Sequence, residues 1–99
     1  MIVVSGTVPV RADKRDEAVA AALEMARATA EEAGCITYRF YADLEDPNIF
    51  RIFEEWETAE ALVAHFQTPH MAELNQKLPG LVAGPADIKK YVVTQVEAL

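Results

Sequence analysis

The chain has 99 residues, of which 52% are hydrophobic and 25% are charged, and its formal net charge is −7. This composition is typical of one globular domain, so a single domain over residues 1–99 is expected and a disordered chain is excluded. The acidic excess repels phosphate backbones and anionic membranes, and the basic residues form no cluster, so neither nucleic acid nor membrane is expected as a partner.

Cysteine usage and the first residues favour an intracellular protein. The single cysteine, Cys35, cannot form a disulfide within the chain, and we interpret it as a small buried hydrophobic residue. The segment MIVVSGTVPV is apolar but lacks the basic start and the long apolar run of a signal peptide or membrane span. A cytoplasmic location is therefore the expectation.

In chain order, the first predicted elements are a strand and a long helix. IVVSGTVPV, residues 2–10, alternates and is rich in β-branched residues, as strands are. Asp13 is expected to cap the helix and Gly34 to end it, with Glu31 and Glu32 solvated. Six apolar residues at helical spacing predict the face that packs on a sheet: Val19, Ala22, Leu23, Ala26, Ala30 and Ala33.

The middle of the chain predicts an antiparallel hairpin. ITYRFYA (36–42) and IFRIFEEW (49–56) are aromatic and β-branched runs, and the DLEDPN segment between them has the residues of a turn. Along the second run, Phe50, Ile52, Glu54 and Trp56 share one face, whereas Ile49 and Phe53 share the other. Large apolar side chains therefore point to both sides of this strand.

Two further helices and a last strand are predicted after the hairpin. Thr58 is expected to cap a short helix that carries Leu62, Val63 and Phe66. Thr68 and Pro69 restart a helix, because proline suits the first helical position, and Pro79 with Gly80 ends it. IKKYVVTQV, residues 88–96, follows the loop LVAGPAD and is predicted to be the last strand.

This order predicts a ferredoxin-like α+β fold, βαββαβ, with a four-stranded antiparallel sheet and both main helices on one face. Helices on one side leave the other face of the sheet uncovered, with Ile49 and Phe53 on it. Because monomers rarely expose so much apolar surface, we expect a second copy of the chain to cover that face, which makes the protein a homodimer.

Both histidines and the only tryptophan lie in EEWETAEALVAHFQTPHM, residues 54–71. Glu54 and Trp56 share a strand face, and the helices that carry His65 and His70 follow directly, so the four side chains can converge. Glu54 has an inward position, where a carboxylate is rare unless it is paired. It could instead lie at a sheet edge facing water, or form a salt bridge across the dimer to Arg51 or Arg39.

Other interpretations apply to the same residues. Each histidine could be a hydrogen-bonded residue at the rim of the core, and Trp56 could serve the core alone. A metal site is not expected, because five residues along a helix rotate the side chain by about 140° and Pro69 interrupts the helix between His65 and His70. The chain also has no dinucleotide, phosphate-loop or serine-hydrolase motif.

The motifs EAGCITY and FEEWETAEALVAHFQTPHM, with the Pro-Asn turn between them, resemble the antibiotic biosynthesis monooxygenase (ABM) family, which includes small quinol monooxygenases. The resemblance spans nearly the whole chain and falls on Gly34, Cys35, Glu54, Trp56, His65, Pro69 and His70. It implies a dimeric α/β barrel in which each subunit holds a pocket between the sheet and its helices.

The resemblance also implies an activity, namely oxygenation of a quinol or polycyclic phenol by O₂ without flavin, haem or metal. An ionised quinol can pass an electron to O₂ directly, so the protein need only bind the ring, handle a proton and exclude water. His65, His70 and Glu54 are the expected catalytic residues. Trp56, Ile52 and Phe50 are the expected substrate-binding residues.

Three other functions have to be compared with this one. Haem-degrading relatives use an asparagine on the first strand and a later histidine, whereas here that strand offers Ser5 and Thr7 and no histidine follows His70. Another branch with a similar Thr-Pro-His segment isomerises a small phosphorylated diketo compound, which needs more cationic contacts than this acidic chain offers. A non-catalytic dimer that binds a small aromatic molecule is the third alternative.

Overall fold

The computed structural model describes residues 1–99 as one four-stranded sheet with three α-helices on one of its faces. None of the helices has both the length and the apolar character needed to cross a membrane. The strands are β1 (Ile2–Pro9), β2 (Cys35–Ala42), β3 (Ile49–Trp56) and β4 (Asp87–Val92), and the helices are α1 (Arg15–Ala30), α2 (Ala59–His65) and α3 (Pro69–Leu81).

The sheet is antiparallel throughout, with the strand order β2-β3-β1-β4. Ile2 at the start of β1 lies opposite Trp56 of β3 on one side and Val92 of β4 on the other. On the far side of β3, Tyr38 of β2 lies opposite Glu54. This arrangement confirms the predicted α+β ferredoxin-like fold and the predicted hairpin.

The two faces of the sheet differ as the alternation on β3 predicts. Phe50, Ile52, Glu54 and Trp56 are all buried on the face that the helices cover, which we call the inner face. Met25 of α1 and Leu62 of α2 are buried in the same cluster as Trp56. The opposite, outer face carries no helix, and β3 lies between two other strands, so Glu54 is not at a sheet edge.

Helix α1 differs from its prediction in its start, in its end at Ala30 and in its buried face. A 3₁₀ turn at Ala12–Lys14 precedes it, and Asp13 forms no cap but accepts hydrogen bonds from Arg11 instead. Leu23 is 49% exposed. Because the sequence of α1 is rich in alanine, several faces of the helix are similarly apolar, and side-chain size does not determine which face turns toward the sheet. The residues that are buried are Ala18, Ala21, Ala22, Met25 and Thr29.

The helix starts after β3 agree with the predictions, whereas two later boundaries do not. The hydroxyls of Thr58 and Thr68 accept hydrogen bonds from the backbone N–H groups of Ala61 and Met71, which caps α2 and α3. Helix α3 continues through Pro79 to Leu81, because a proline in the last turn removes only one hydrogen bond. Strand β4 ends at Val92, where its pairing with β1 reaches Ile2, and not at residue 96.

We predict that the two glycines Gly6 and Gly80 respond in opposite ways to alanine. A Cβ on Gly6 would lie 2.2 Å from the backbone oxygen of Asp87 on β4, whereas a Cβ on Gly80 of α3 would meet no atom within 4 Å. Gly6→Ala should lower the free energy of unfolding by about 2 kcal/mol or more. Gly80→Ala should raise it by about 0.5 kcal/mol or more, because alanine restricts the unfolded chain. Urea unfolding measures both values, and equal effects would contradict this packing of β1 on β4.

Candidate functional site

A cavity of about 190 Å³ lies between the inner face of the sheet and the helices. Residues of two core clusters line it, one that contains Trp56 and one that contains Phe50. Nineteen residues line it, and Glu54 and His65 are the only two that are not hydrophobic. The cavity therefore suits an apolar molecule that carries a polar group toward these two side chains.

His65, the last residue of α2, is held firmly at the cavity wall. The residue is only 1% exposed. Its ring centroid lies 5.0 Å from that of Trp56, 5.4 Å from that of Tyr38 and 5.7 Å from that of Phe66. Packing on several sides fixes the ring plane, so the hydrogen bonds at its two nitrogens decide what it can do.

The partner of His65 is Glu32, which the sequence predicts to be solvated. That prediction is wrong, since the Glu32 side chain is only 13% exposed. One of its carboxylate oxygens, Oε2, lies 2.8 Å from His65 Nδ1 and 2.6 Å from His70 Nε2. We call Glu32, His65 and His70 the Glu32 cluster.

The turn after α1 brings Glu32 to this position. Gly34 has φ of +81°, a left-handed conformation that favours glycine, and a Cβ there would lie 2.6 Å from Cβ of Ala61 in α2. The Gly34 carbonyl also accepts a hydrogen bond from the backbone N–H of Glu57. Glycine at this one position therefore lets the turn that carries Glu32 lie directly against the start of α2.

The corner between α2 and α3 brings the second histidine to the same carboxylate. The Thr68 hydroxyl donates a hydrogen bond to the His65 carbonyl at 2.8 Å while it caps α3 by accepting from the Met71 N–H. His70 is the second residue of α3, and its side chain is 25% exposed. The break in the helix at Pro69 thus lets two side chains that diverge on a continuous helix meet at one oxygen.

This geometry also bears on metal binding. The expectation of no metal rests on the lack of a helical ligand spacing between His65 and His70. The donor atoms of Glu32, His65 and His70 nevertheless all lie within 4.8 Å of one another. These residues could hold a divalent ion. In the structure, two ring nitrogens lie near one carboxylate oxygen at distances typical of charge-assisted hydrogen bonds.

Glu54 forms no hydrogen bond with the Glu32 cluster but lines the same cavity as His65, and the expected catalytic grouping of Glu54 with both histidines stays a prediction. It accepts a hydrogen bond from Trp56 Nε1 at 2.9 Å, and within the chain it pairs with neither Arg39 nor Arg51. Burial raises the pKa of Glu54, and the Trp56 hydrogen bond and the nearby His65 oppose that rise. Glu54 is therefore a second polar group of the cavity, separate from the histidine pair.

Only some of the residues predicted for the pocket line the cavity. Phe50 and Ile52 line the cavity as expected. Trp56 is fully buried and does not line it, so it supports His65 from behind, and His70 also lies outside the lining. Glu32 is the site residue that the sequence analysis does not identify. The one feature of the sequence that indicates it is its position two residues before Gly34, where a side chain can fold back over the next element.

The arrangement leaves one ring nitrogen free to meet a bound molecule. His65 Nε2 forms no hydrogen bond within the protein, and Thr29 Oγ1 is the one buried side-chain oxygen or nitrogen that lacks a partner. His65 Nε2 therefore opens onto free space, and the space that this ring lines is the cavity. Burial raises the pKa values of Tyr38 and Cys35, so both stay protonated and neither competes for a proton.

Comparison with known proteins gives consistent matches. The model of the antibiotic biosynthesis monooxygenase family matches residues 1–77. The uncharacterised protein sll1783 of Synechocystis is 41% identical over 98 residues, which are 99% of this chain and 67% of that protein. YcnE of Bacillus subtilis, whose name proposes a monooxygenase, is 26% identical over 95 residues, 96% of this chain and 100% of that protein.

A solved structure from Deinococcus radiodurans, described as a candidate antibiotic biosynthesis monooxygenase, superposes with a TM-score of 0.92 at 24% identity. The superposition covers 100% of this chain and 98% of that one. The two proteins therefore share the fold, from the first strand to the last.

We predict that Glu54→Gln stabilises the protein at neutral and alkaline pH. Because the pKa of Glu54 is raised above its ordinary value of 4.5, the folded protein binds this proton more tightly than the unfolded chain does. Stability is then lost as the pH rises through the raised pKa. Glutamine keeps an acceptor for Trp56 without the charge. Urea unfolding should find the variant more stable than the wild type at about pH 8, with a smaller difference at about pH 4.

Glu57→Gln is the matched control, because Glu57 lies exposed just after the same strand. It removes the same formal charge from a side chain that is exposed in the folded protein. An equal gain in stability at about pH 8 in both variants would contradict the assigned burial of the Glu54 carboxylate.

Proposed function

The chain belongs to the antibiotic biosynthesis monooxygenase family, and we propose that it is a cofactor-independent monooxygenase that oxidises a small quinol or phenol with O₂. The observation that carries the proposal is the combination at His65. Its Nδ1 is held by Glu32, and its Nε2 opens onto a cavity that is otherwise hydrophobic except for Glu54. A base held in this way can remove the hydroxyl proton of a bound quinol.

The proposed reaction balances with quinol and O₂ alone. His65 Nε2 takes a hydroxyl proton, and the electron-rich quinolate reduces O₂ and forms a carbon–oxygen bond at a ring C–H carbon. His65 returns its proton to the peroxide oxygen, and the O–O bond of the resulting hydroperoxide then breaks while the ring C–H proton leaves with the departing hydroxide, which gives water and a carbonyl carbon. Quinol and O₂ thus yield a hydroxyquinone and one water, with the quinol supplying all four electrons.

The residues around the cavity support a neutral aromatic substrate of limited size. An engineered apolar cavity of about 150 Å³ holds benzene, so about 190 Å³ suits one or two rings and is small for a polycyclic phenol. No lysine or arginine lines the cavity. A phosphorylated diketo substrate would have no cation to meet, which argues against the isomerase alternative.

Glu32 has the role of a positioning residue in this proposal. Its carboxylate accepts the Nδ1–H of His65, which leaves Nε2 unprotonated and directed to the cavity, and its charge stabilises the imidazolium that forms when His65 takes a proton. Apolar rings around His65 keep bulk water away from this step. Glu54, held by Trp56, is then a contact for a second substrate oxygen.

We predict that Glu32→Gln and His65→Gln each lower quinol turnover by about 10² to 10⁴, the range for losing general acid–base help. Oxygen uptake with a panel of one-ring and two-ring quinols measures this. Glu31→Gln is the control, since Glu31 is the exposed neighbour of Glu32 and should leave turnover unchanged. Circular dichroism should show that all three variants are folded.

The same assay distinguishes the proposed monooxygenase from a non-catalytic protein that binds small aromatic molecules. A wild-type protein that binds quinols without consuming O₂ would contradict the monooxygenase proposal and favour a non-catalytic small-aromatic-binding dimer. Turnover that survives both Glu32→Gln and His65→Gln would contradict the proposed base.

We also propose that the protein is a homodimer joined through the outer faces of its sheets. Val3 of β1, Phe53 of β3 and Tyr91 of β4 lie on that face, with Val3 opposite Tyr91 and Phe53 opposite Ser5, and no helix of the chain covers them. Tyr41 at the outer side of β2 is 51% exposed. A second copy would bury this apolar surface. The single domain over residues 1–99 and the cytoplasmic location stay predictions.

Light scattering at micromolar concentration should give the mass of a dimer, with an interface above about 1,200 Å² in total. Phe53→Glu places a charge at the centre of the outer face and should yield monomers. Val63→Glu on the exposed side of α2 is the control and should leave the dimer intact. A monomeric wild type, or a dimer that survives Phe53→Glu, would contradict this interface.

A further inference from the structure

The donor atoms of the Glu32 cluster meet on the side of the His65 ring that is away from the cavity. His65 lines the cavity, whereas Glu32 and His70 do not. We propose that the cluster is a zinc site, at which a bound Zn²⁺ stops turnover by moving the ring proton of His65 from Nδ1 to Nε2. The ion is an inhibitor and not a cofactor, so the metal-free protein is the active form. The effect on turnover rests on the proposed function, whereas binding of the ion does not.

The cluster has the donor set of a zinc site. Two imidazole nitrogens and one carboxylate oxygen, all within 4.8 Å of one another, are a known set of three protein ligands for zinc, with water as the fourth ligand. Bonds of about 2.0 to 2.2 Å to the ion place tetrahedral donors about 3.4 Å apart. Glu32 Oε2 lies 2.8 Å from His65 Nδ1 and 2.6 Å from His70 Nε2, so these contacts have to open by about 0.6 to 0.8 Å to admit the ion.

The two histidines differ in how freely they can follow this opening. His65 is 1% exposed and has aromatic rings on three sides, so it stays in place. The His70 side chain is 25% exposed at the start of α3, and Glu32 has a flexible side chain. Glu32 and His70 therefore move outward while His65 stays fixed, and the water ligand comes from the exposed side of His70.

The surface beside His70 attracts cations. Glu24 and Glu73 line a small recess next to His70 together with Lys77, on a chain whose formal net charge is −7. Lys77 lies 3.9 Å from Glu24 and offsets that charge, whereas Glu73 forms no salt bridge, so its charge is available to an approaching ion. A cation therefore has a route to the cluster from solvent that does not pass through the apolar cavity.

Coordination changes what His65 presents to the cavity. A histidine that binds a metal is neutral and has no proton on the nitrogen that binds. With zinc at Nδ1, the one ring proton of His65 lies on Nε2, so the nitrogen that faces the cavity is a donor and cannot take a proton. A quinol still enters the cavity but keeps its hydroxyl proton. Because the ion lies outside the cavity, zinc and quinol do not compete for one place.

Isothermal titration calorimetry with Zn²⁺ tests the site without turnover. The wild type should bind one ion per chain. His70→Ala and His65→Gln should each weaken binding by about 10²-fold or more, since loss of even an outer-shell partner of a metal costs about 10- to 100-fold. Glu73→Gln is the control and should weaken binding by no more than about fivefold, the scale of an exposed charge. A wild type that binds no zinc, or binding that depends more on Glu73 than on His65 and His70, would overturn the site.

Two further measurements test the inhibition. ¹⁵N NMR of the histidine rings needs no substrate and should show the His65 proton on Nδ1 in the free protein and on Nε2 after addition of Zn²⁺. In steady-state oxygen uptake, Zn²⁺ should lower kcat by about 10²-fold or more, the loss expected when a general base is removed. KM should stay unchanged, and a chelator should restore kcat. The zinc concentration that inhibits the wild type should not change the turnover of His70→Ala, whatever the rate of that variant.

The outcomes separate this inference from the proposed function. Bound zinc with the His65 proton still on Nδ1, inhibition that more quinol relieves, or equal inhibition of the wild type and His70→Ala would each overturn the inhibition. A wild type that consumes no O₂ but binds zinc with the expected proton shift would overturn the proposed function, and with it the inhibition, but not the zinc site.

Discussion

The site depends on the hydrogen bonds that join the two histidines to one oxygen of Glu32. A carboxylate that is largely removed from water is costly unless it is paired, and here both partners come from a different part of the chain. Gly34 is needed to bring the Glu32 turn against α2, and Thr68 is needed to turn the chain between His65 and His70. The local conformations of two short segments thus decide the protonation pattern of a buried ring.

The sheet supplies what the Glu32 cluster cannot, namely a place for an apolar molecule. The inner face of β3 changes character along its length, from Phe50 and Ile52 beside the cavity to Glu54 and finally Trp56 behind His65. The same strand therefore provides apolar wall, polar contact and structural support in sequence order. Together with family membership, this arrangement supports a chemistry in which the protein positions and deprotonates a ring and the substrate itself reduces O₂.

Features governed by local rules could be predicted from the sequence. Strand alternation gives the buried face of β3, and threonine caps give the starts of α2 and α3. The convergence of His65 and His70 is also suggested by their shared segment. Glu32 could not be predicted, because its contact to His65 spans 33 positions along the chain and depends on how closely a glycine turn approaches α2. The buried face of α1 could not be predicted for another reason, since alanines on every side of the helix give only a weak hydrophobic periodicity.

The most direct test of this account is a crystal structure of the protein with a bound naphthol, which has the rings and hydroxyl of a substrate but is not a quinol. The account predicts that the rings lie in the cavity against Phe50 and Ile52, with the hydroxyl oxygen about 3 Å from His65 Nε2, the reach of a general base. A naphthol whose oxygen instead contacts Glu54 alone, or whose rings lie outside the cavity, would contradict the claim that Glu32 prepares His65 to take the substrate proton.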